Sequence, residues 1–131
     1  IASAWPDAGV DVLFGIGGTP EGVISAAALK AMGGELQATF CPQSDAERDA
    51  MEGAGFDLDR VFTQDDLVQG DNCFFAATGI TGGEFLRGVT FTGKGAITHS
   101  VMMRSKTGSV RYMDAFHNLD KLNEFSAIEY G

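Results

Sequence analysis

The stretch Gly15-Ile16-Gly17-Gly18-Thr19-Pro20-Glu21-Gly22 decides how the rest of this 131-residue chain is read. It follows Val10 to Phe14, a short apolar run rich in strand formers. Thr19 reads as an N-cap, Pro20 as the first helical residue and Glu21 as an acid in the first turn. Val23, Ala26, Ala27 and Ala31 then recur at helical spacing up to Met32, and Gly33-Gly34 ends the helix. A glycine-rich turn between a strand and a helix lets backbone N–H groups converge on an anion, and the helix dipole adds to that attraction. The plain alternative is a tight turn with a well-made cap. No Gly-Lys-Ser/Thr follows, so the turn is not a P-loop. It also lacks the last glycine of the dinucleotide fingerprint.

Outward from this turn, Leu36 to Phe40 reads as a second strand, and two strands around one helix predict a βαβ crossover. Ser44 to Gly55 is a helix opened by a Ser44/Glu47 capping-box spacing, and Val61-Phe62 is a short strand. Thr63 and Asp66 repeat the cap signal before a one-turn helix at Asp65 to Val68. Asn72 to Ala77 is apolar throughout and predicts a strand buried on both faces. The loop Thr78-Gly79-Ile80-Thr81-Gly82-Gly83 follows it. If both glycine loops lie at the carboxyl ends of parallel strands, they share one rim. Val89 to Phe91 is a weak strand, and Gly93-Lys94-Gly95 a turn. Ala96 to Lys106 and Ser109 to His117 form a hairpin through Thr107-Gly108, and the chain from Leu119 is a polar tail. The expected fold class is α/β, a mixed sheet with flanking helices ending in a β hairpin, and residues 1–131 read as a single domain.

A two-residue hairpin loop pairs residues whose numbers sum to about 215. That register sets His99 opposite Phe116, His117 opposite Thr98, and Arg104 opposite Arg111. The two histidines then point to opposite faces, which argues against a shared metal site. Like charges directly opposed are destabilising, so an anion or a subunit contact is expected at Arg104 and Arg111. Asp45, Glu47, Asp49 and Glu52, with Asp57, Asp59, Asp65 and Asp66, read as solvated acids. Only Glu21 stands on a glycine-rich loop.

Composition narrows the function classes. A formal net charge of −9 argues against nucleic acid and against anionic membranes. No apolar run approaches the roughly 18 residues that span a bilayer, and no signal peptide is apparent. The chain opens without Met and enters a strand pattern early, so a piece of a longer protein is expected, although a trimmed chain looks the same. Cys41 and Cys73 fit no zinc spacing and read as reduced core residues, which points to the cytoplasm.

Taken together, Gly15 to Gly22, Met32-Gly33-Gly34, Asp65-Asp66-Leu67-Val68, Ala76-Ala77-Thr78-Gly79-Ile80-Thr81 and Leu86-Arg87-Gly88-Val89 resemble class II fructose-1,6-bisphosphatase. Thr98-His99-Ser100, Met103 to Gly108 and the tail Lys121 to Ile128 extend the resemblance over essentially the whole chain, the tail being similar to the actinobacterial branch. The resemblance implies the C-terminal part of such an enzyme, with the layered fold of the lithium-sensitive sugar and inositol phosphatases and the N-terminal metal-binding part absent from this sequence. It implies Mg²⁺- or Mn²⁺-dependent hydrolysis of the 1-phosphate of fructose 1,6-bisphosphate to fructose 6-phosphate, in gluconeogenesis. Sedoheptulose 1,7-bisphosphate is a second substrate in some relatives. The expected partner is a small sugar bisphosphate, in a homo-oligomer. Glu21 matches a metal ligand of the family and Gly18 a substrate contact. The other metal ligands and the catalytic residues fall outside this sequence, so no bisphosphatase activity is expected of the chain alone. Where the family has Asp-Gly-Asp-Leu-Leu, this chain has Gly82-Gly83-Glu84-Phe85-Leu86, and no role is carried onto that loop. A non-catalytic sugar-phosphate-binding or regulatory module is the alternative, and an assembly piece with the hairpin at a subunit contact a further one.

Overall fold

The computed structural model describes residues 1–127. The tail motif's Ile128 lies outside them. A 3-10 turn at Ala2–Ala4 precedes α1 (Thr19–Met32), β1 (Gln37–Ala38), α2 (Asp45–Gly53), β2 (Phe62–Thr63) and α3 (Gln64–Leu67). Then come β3 (Phe74–Thr78), β4 (Thr90–Thr92), β5 (Gly95–Arg104), a 3-10 turn at Ser105–Thr107, β6 (Ser109–Asn118) and α4 (Leu119–Asn123). The chain is thus α/β with antiparallel sheets and flanking helices.

Long strand β5 organises the larger sheet. Strand β6 pairs with it from Gly95↔Asn118 to Arg104↔Ser109, along its full length. Its other edge is shared: β3 takes Ser100 to Arg104, and β4 takes Gly95 to Ile97, both antiparallel. Side chains alternate between the faces of a strand. One face carries Phe75, Val101 and Met103, and these pack with Ala28 and Ala31 of α1 and with Leu86. Val101 and Met103 are 1% exposed. Trp5, Phe85 and Tyr112 extend this core by edge-on ring contacts at 5.5–6.4 Å between centroids. The opposite face is open, with Phe74, Met102, Met113 and Phe91 all exposed. The small antiparallel pair β1–β2 stands apart from this sheet and is held by Phe40 edge-on to Phe56 and Phe62.

Cap chemistry places the helices. Gly33 ends α1 in the left-handed region, its N–H bonded to the Leu29 carbonyl. Ser44 accepts the Glu47 N–H of α2, while the Glu47 carboxylate reaches one residue beyond the cap to the Gln43 N–H. Thr63 and Asp66 complete a reciprocal capping box on α3. Lys30 then ties α3 to α1, bonding the Val68 carbonyl at 2.9 Å and pairing with Asp65 at 2.7 Å.

Several expectations are corrected. Val10 to Phe14 forms no strand among the described residues, because no strand lies beside it, and the predicted βαβ crossover does not form. β1 instead pairs antiparallel with β2. The Asn72–Ala77 run yields β3, which is covered on one face only: Phe75 is 6% exposed and Phe74 63%. In α1 the buried residues are Ala26, Ala28, Leu29 and Ala31, while Val23 is exposed. Cys41 is exposed and Cys73 half-buried, and both are free thiols. The polar tail begins with α4, capped by Asn118 through the Lys121 N–H.

The hairpin register moves by two residues. Ser105 is claimed by the neighbouring segment: its hydroxyl donates to Asp71 O and accepts the Cys73 N–H, both at 2.8 Å. The loop therefore spans Ser105 to Gly108 instead of Thr107-Gly108 alone. Arg104 faces Ser109 and Arg111 faces Met102, so the predicted like-charge clash is absent. A slip of two preserves the face of every side chain, and the histidines still project to opposite faces.

Candidate functional site

The Gly15–Gly22 loop delivers its two predicted site residues into a single arrangement. Helix α1 starts one residue earlier than the sequence indicates, with Gly18 as N-cap, Thr19 and Pro20 in the first turn, and Gly22 N–H bonded to Gly18 O at 3.0 Å. Glu21 consequently occupies the third helical position, where a capping-box acid folds back over the helix start. A Cβ added to Gly18 would collide with Oε2 of Glu21. Gly18 has φ −67 and ψ 154, a conformation open to any residue. A side chain at Gly18 would therefore displace the flexible Glu21 carboxylate from its place over the helix start, while the backbone conformation there does not call for glycine.

No side-chain hydrogen bond caps the helix. The N–H groups of the first turn are unpaired in any α-helix and carry part of the positive end of its dipole. Glu21 has no hydrogen-bond or ion-pair partner among the described residues. A free carboxylate therefore lies beside free N–H donors, and every residue from Asp11 to Glu21 is exposed. The side chains before the loop share that exposure: Val12, Leu13 and Phe14 at 63%, 77% and 94%, and Ile16 at 76%.

Carboxylate oxygen suits hard divalent cations, which take six or more oxygens. Among the described residues no group of three or more His, Cys, Asp or Glu could hold a metal ion. Glu21 fits the role of one ligand in a larger set and cannot form a site by itself.

The second glycine loop is built differently. The Gly79 N–H bonds His99 O, Gly83 N–H bonds Leu86 O and Val89 N–H bonds Ile80 O. A Cβ on Gly79 would collide with Arg87 O, and one on Gly88 would come within 2.6 Å of Gly82 N. These glycines let the loop close on itself and seat Leu86 in the core. Its parent strand β3 is antiparallel to its neighbour, and Val10 to Phe14 is in no sheet, so the expected shared rim of parallel strand ends is not formed.

The histidines are engaged locally. His99 Nδ1 accepts the Arg87 N–H at 3.1 Å, and its ring stacks on Tyr112 with centroids 5.3 Å apart. Arg87 pairs with Asp114, the residue directly across from His99. This polar cluster was not legible in the sequence, since the two-residue register error hid the His99–Asp114 pairing. His117 Nε2 lies 2.9 Å from Thr98 Oγ1. Arg104 donates to Asn72 Oδ1 at 2.8 Å and sits over the Phe74 ring. Asp66 titrates below its ordinary range. The Thr63 N–H, then the Thr63 hydroxyl and Arg60, hold its carboxyl below the ordinary aspartate range. Its duty is structural.

No helix among the described residues is long and apolar enough to cross a membrane. The sequence model of a family described as bacterial fructose-1,6-bisphosphatase, glpX-encoded, matches residues 1–117. The fructose-1,6-bisphosphatase class 2 of Haemophilus influenzae is 39% identical over 130 residues, covering 89% of this chain and 39% of its own length. Two Escherichia coli K12 proteins, fructose-1,6-bisphosphatase 2 class 2 and fructose-1,6-bisphosphatase 1 class 2, are 36% and 34% identical and cover 89% and 92% of this chain. The chain spans about 40% of the length of these relatives. With a family match running from the first residue through the glycine loop, α1 and nearly all of the β5–β6 hairpin, this chain belongs to the bacterial, glpX-encoded fructose-1,6-bisphosphatase family.

Proposed function

We propose that the chain supplies one wall of a bisphosphatase site that removes the 1-phosphate of fructose 1,6-bisphosphate to give fructose 6-phosphate and inorganic phosphate. The observation that carries this reading is the unpartnered Glu21 carboxylate folded over the start of α1 beside Gly18. In this reading Glu21 holds a divalent cation, Mg²⁺ or Mn²⁺, through oxygen. Bound there, such an ion supplies charge neutralisation on the phosphate and activation of water. Gly18 contacts the substrate through its backbone, where a side chain would block approach. The N–H groups at the start of α1 face the same place and favour a bound phosphate oxygen.

One carboxylate is too few for the metal, so the chain alone is inactive. The remaining ligands and the groups that orient water belong to the part of the relatives that this chain does not match. The layered fold of the lithium-sensitive phosphatases, a homo-oligomer, a cytoplasmic setting and a place in gluconeogenesis go with the same reading. Turnover of sedoheptulose 1,7-bisphosphate would need only the same phosphate end of the sugar.

The test is a hybrid in which this chain replaces the matching stretch of the Escherichia coli fructose-1,6-bisphosphatase 2 class 2. Loss of an outer-shell partner commonly costs about 10–100-fold in metal affinity or activity. A direct ligand should cost at least about that much, so Glu21→Gln should lower turnover by roughly 100-fold and raise the metal concentration for half-activity. An unchanged metal dependence sinks the assignment of Glu21. Mn²⁺-dependent phosphate release by the 131-residue chain alone would overturn the claim of inactivity.

A further inference from the structure

Helix α1 is held unevenly. Its buried residues, Ala26, Ala28, Leu29 and Ala31, all lie in its second half, and Ala28 and Ala31 are the ones in the sheet core. No residue of the first half is buried, and Val23 and Ile24 are 38% and 57% exposed. Glu21 therefore stands at the free end of a helix gripped at the other end. Alanines let a helix lie close to a sheet but interlock little with it, so they resist tilting weakly. Lys30 supplies a grip from a second direction. A lysine in the last turn ordinarily faces water beside the carbonyls of its own helix. Here its side chain is 14% exposed and reaches away from α1, to the Val68 carbonyl at 2.9 Å and to Asp65 at 2.7 Å. The receiving segment is itself fixed. The Thr63–Asp66 capping box shapes α3, and Gln64 Oε1 accepts the Leu36 N–H, just beyond α1, at 3.0 Å.

We propose that Lys30 is a positioning residue for Glu21, and that the Asp65-Asp66-Leu67-Val68 motif is the anchor it works against. The inference rests on the proposed function, in which Glu21 is a metal ligand. Lys30 stands nine positions after Glu21, which is about 13.5 Å along an α-helix. A tilt of about 5° about the gripped end carries Glu21 by roughly 1 Å. Metal–ligand distances tolerate only about 0.2 Å, and a misplacement of about 1 Å costs on the order of 100-fold where geometry governs a reaction. A loosening too small to unfold the helix is thus large enough to move a ligand out of reach. The Val68 carbonyl carries most of the clamp, because Asp65 is 69% exposed and water screens its ion pair.

The test is a double-variant cycle in the hybrid enzyme, read by Mn²⁺ binding in the absence of substrate, from the paramagnetic resonance signal of the free ion. Lys30→Met keeps the length and apolar stem of the side chain and removes both contacts. It should weaken Mn²⁺ binding by about 10-fold. In the Glu21→Gln background it should add less than about two-fold, because its effect passes through Glu21. A general loss of stability would weaken binding equally in both backgrounds. Should Lys30→Met fail to fold, Lys30→Gln, which keeps a polar tip but falls short of both partners, takes its place with the same expected outcome. Unchanged Mn²⁺ binding, or an equal loss in both backgrounds, overturns the inference while a responsive Glu21→Gln leaves the proposed function standing. If Glu21→Gln itself leaves Mn²⁺ binding unchanged, the proposed function falls and this inference with it.

Discussion

The Glu21 carboxylate occupies the space in which a side chain on Gly18 would stand. The two residues are the N-cap and the third helical position of α1. That spacing ordinarily serves a capping box with Ser or Thr at the cap. With glycine at the cap the acid folds over the helix start and keeps its oxygens free of protein partners. Gly18→Ala should therefore act on Glu21 and leave the fold alone. In the hybrid enzyme we expect metal affinity to fall by about 10–100-fold, with the unfolding free energy of the chain changed by no more than about 0.5 kcal/mol. Gly17→Ala, where an added Cβ meets nothing within 4 Å, is the matched control. Equal effects of the two substitutions would remove the special role of Gly18.

Gly79 and Gly88 should be stability positions rather than activity positions. A Cβ on either meets backbone of its own loop, which cannot rotate away. Gly79→Ala and Gly88→Ala should each cost about 1–3 kcal/mol in urea unfolding. Gly82→Ala, whose nearest atom lies at 3.9 Å, should cost far less. The order of the three midpoints is the measurement.

Met103, at 1% exposure among Val101, Phe75 and α1, is the largest fully buried side chain among the described residues. Met103→Ala should cost about 2–5 kcal/mol. Met113→Ala on the open face, 52% exposed, should be close to neutral in the chain alone. In a core this small the first substitution should abolish a cooperative thermal transition.

Asp66 predicts an acid response with a definite sign. Its carboxyl is held below the ordinary value near 3.8 by the Thr63 N–H, the Thr63 hydroxyl and Arg60. A depressed folded value means that the charged form favours the folded state. The contribution is present above the ordinary value and is lost as pH falls through the folded one. Asp66→Asn should therefore lower stability at neutral pH and flatten the fall in unfolding midpoint below about pH 4. Thermal scans of both proteins from pH 7 to pH 2 check the slope.

The caps and breaks were legible because their chemistry is local. Ser44, Thr63 with Asp66, and Gly33 announce their helices through side-chain or backbone preferences that act within four residues. Glu21 stood out for the same reason. The start of α1 was displaced by one residue because Thr19 is the better cap former, yet Gly18 takes the position. That displacement hid the spatial bond between the two site residues.

What the sequence determined alone was the family, the order of helices and strands from α1 to β6, and the identity of Gly18 and Glu21 as candidates. Tertiary structure decided what pairs with what. Ser105 chose the Asp71–Cys73 segment over the hairpin and moved the register by two residues, which dissolved the Arg104–Arg111 clash and created the His99–Asp114 pairing. Strand pattern made Val10–Phe14 a strand, but a strand exists only with a partner to bond, and none of the described residues supplies one. Propensity belongs to a residue and its near neighbours, whereas a ladder, a register and a ligand set belong to segments that meet only when the chain is folded.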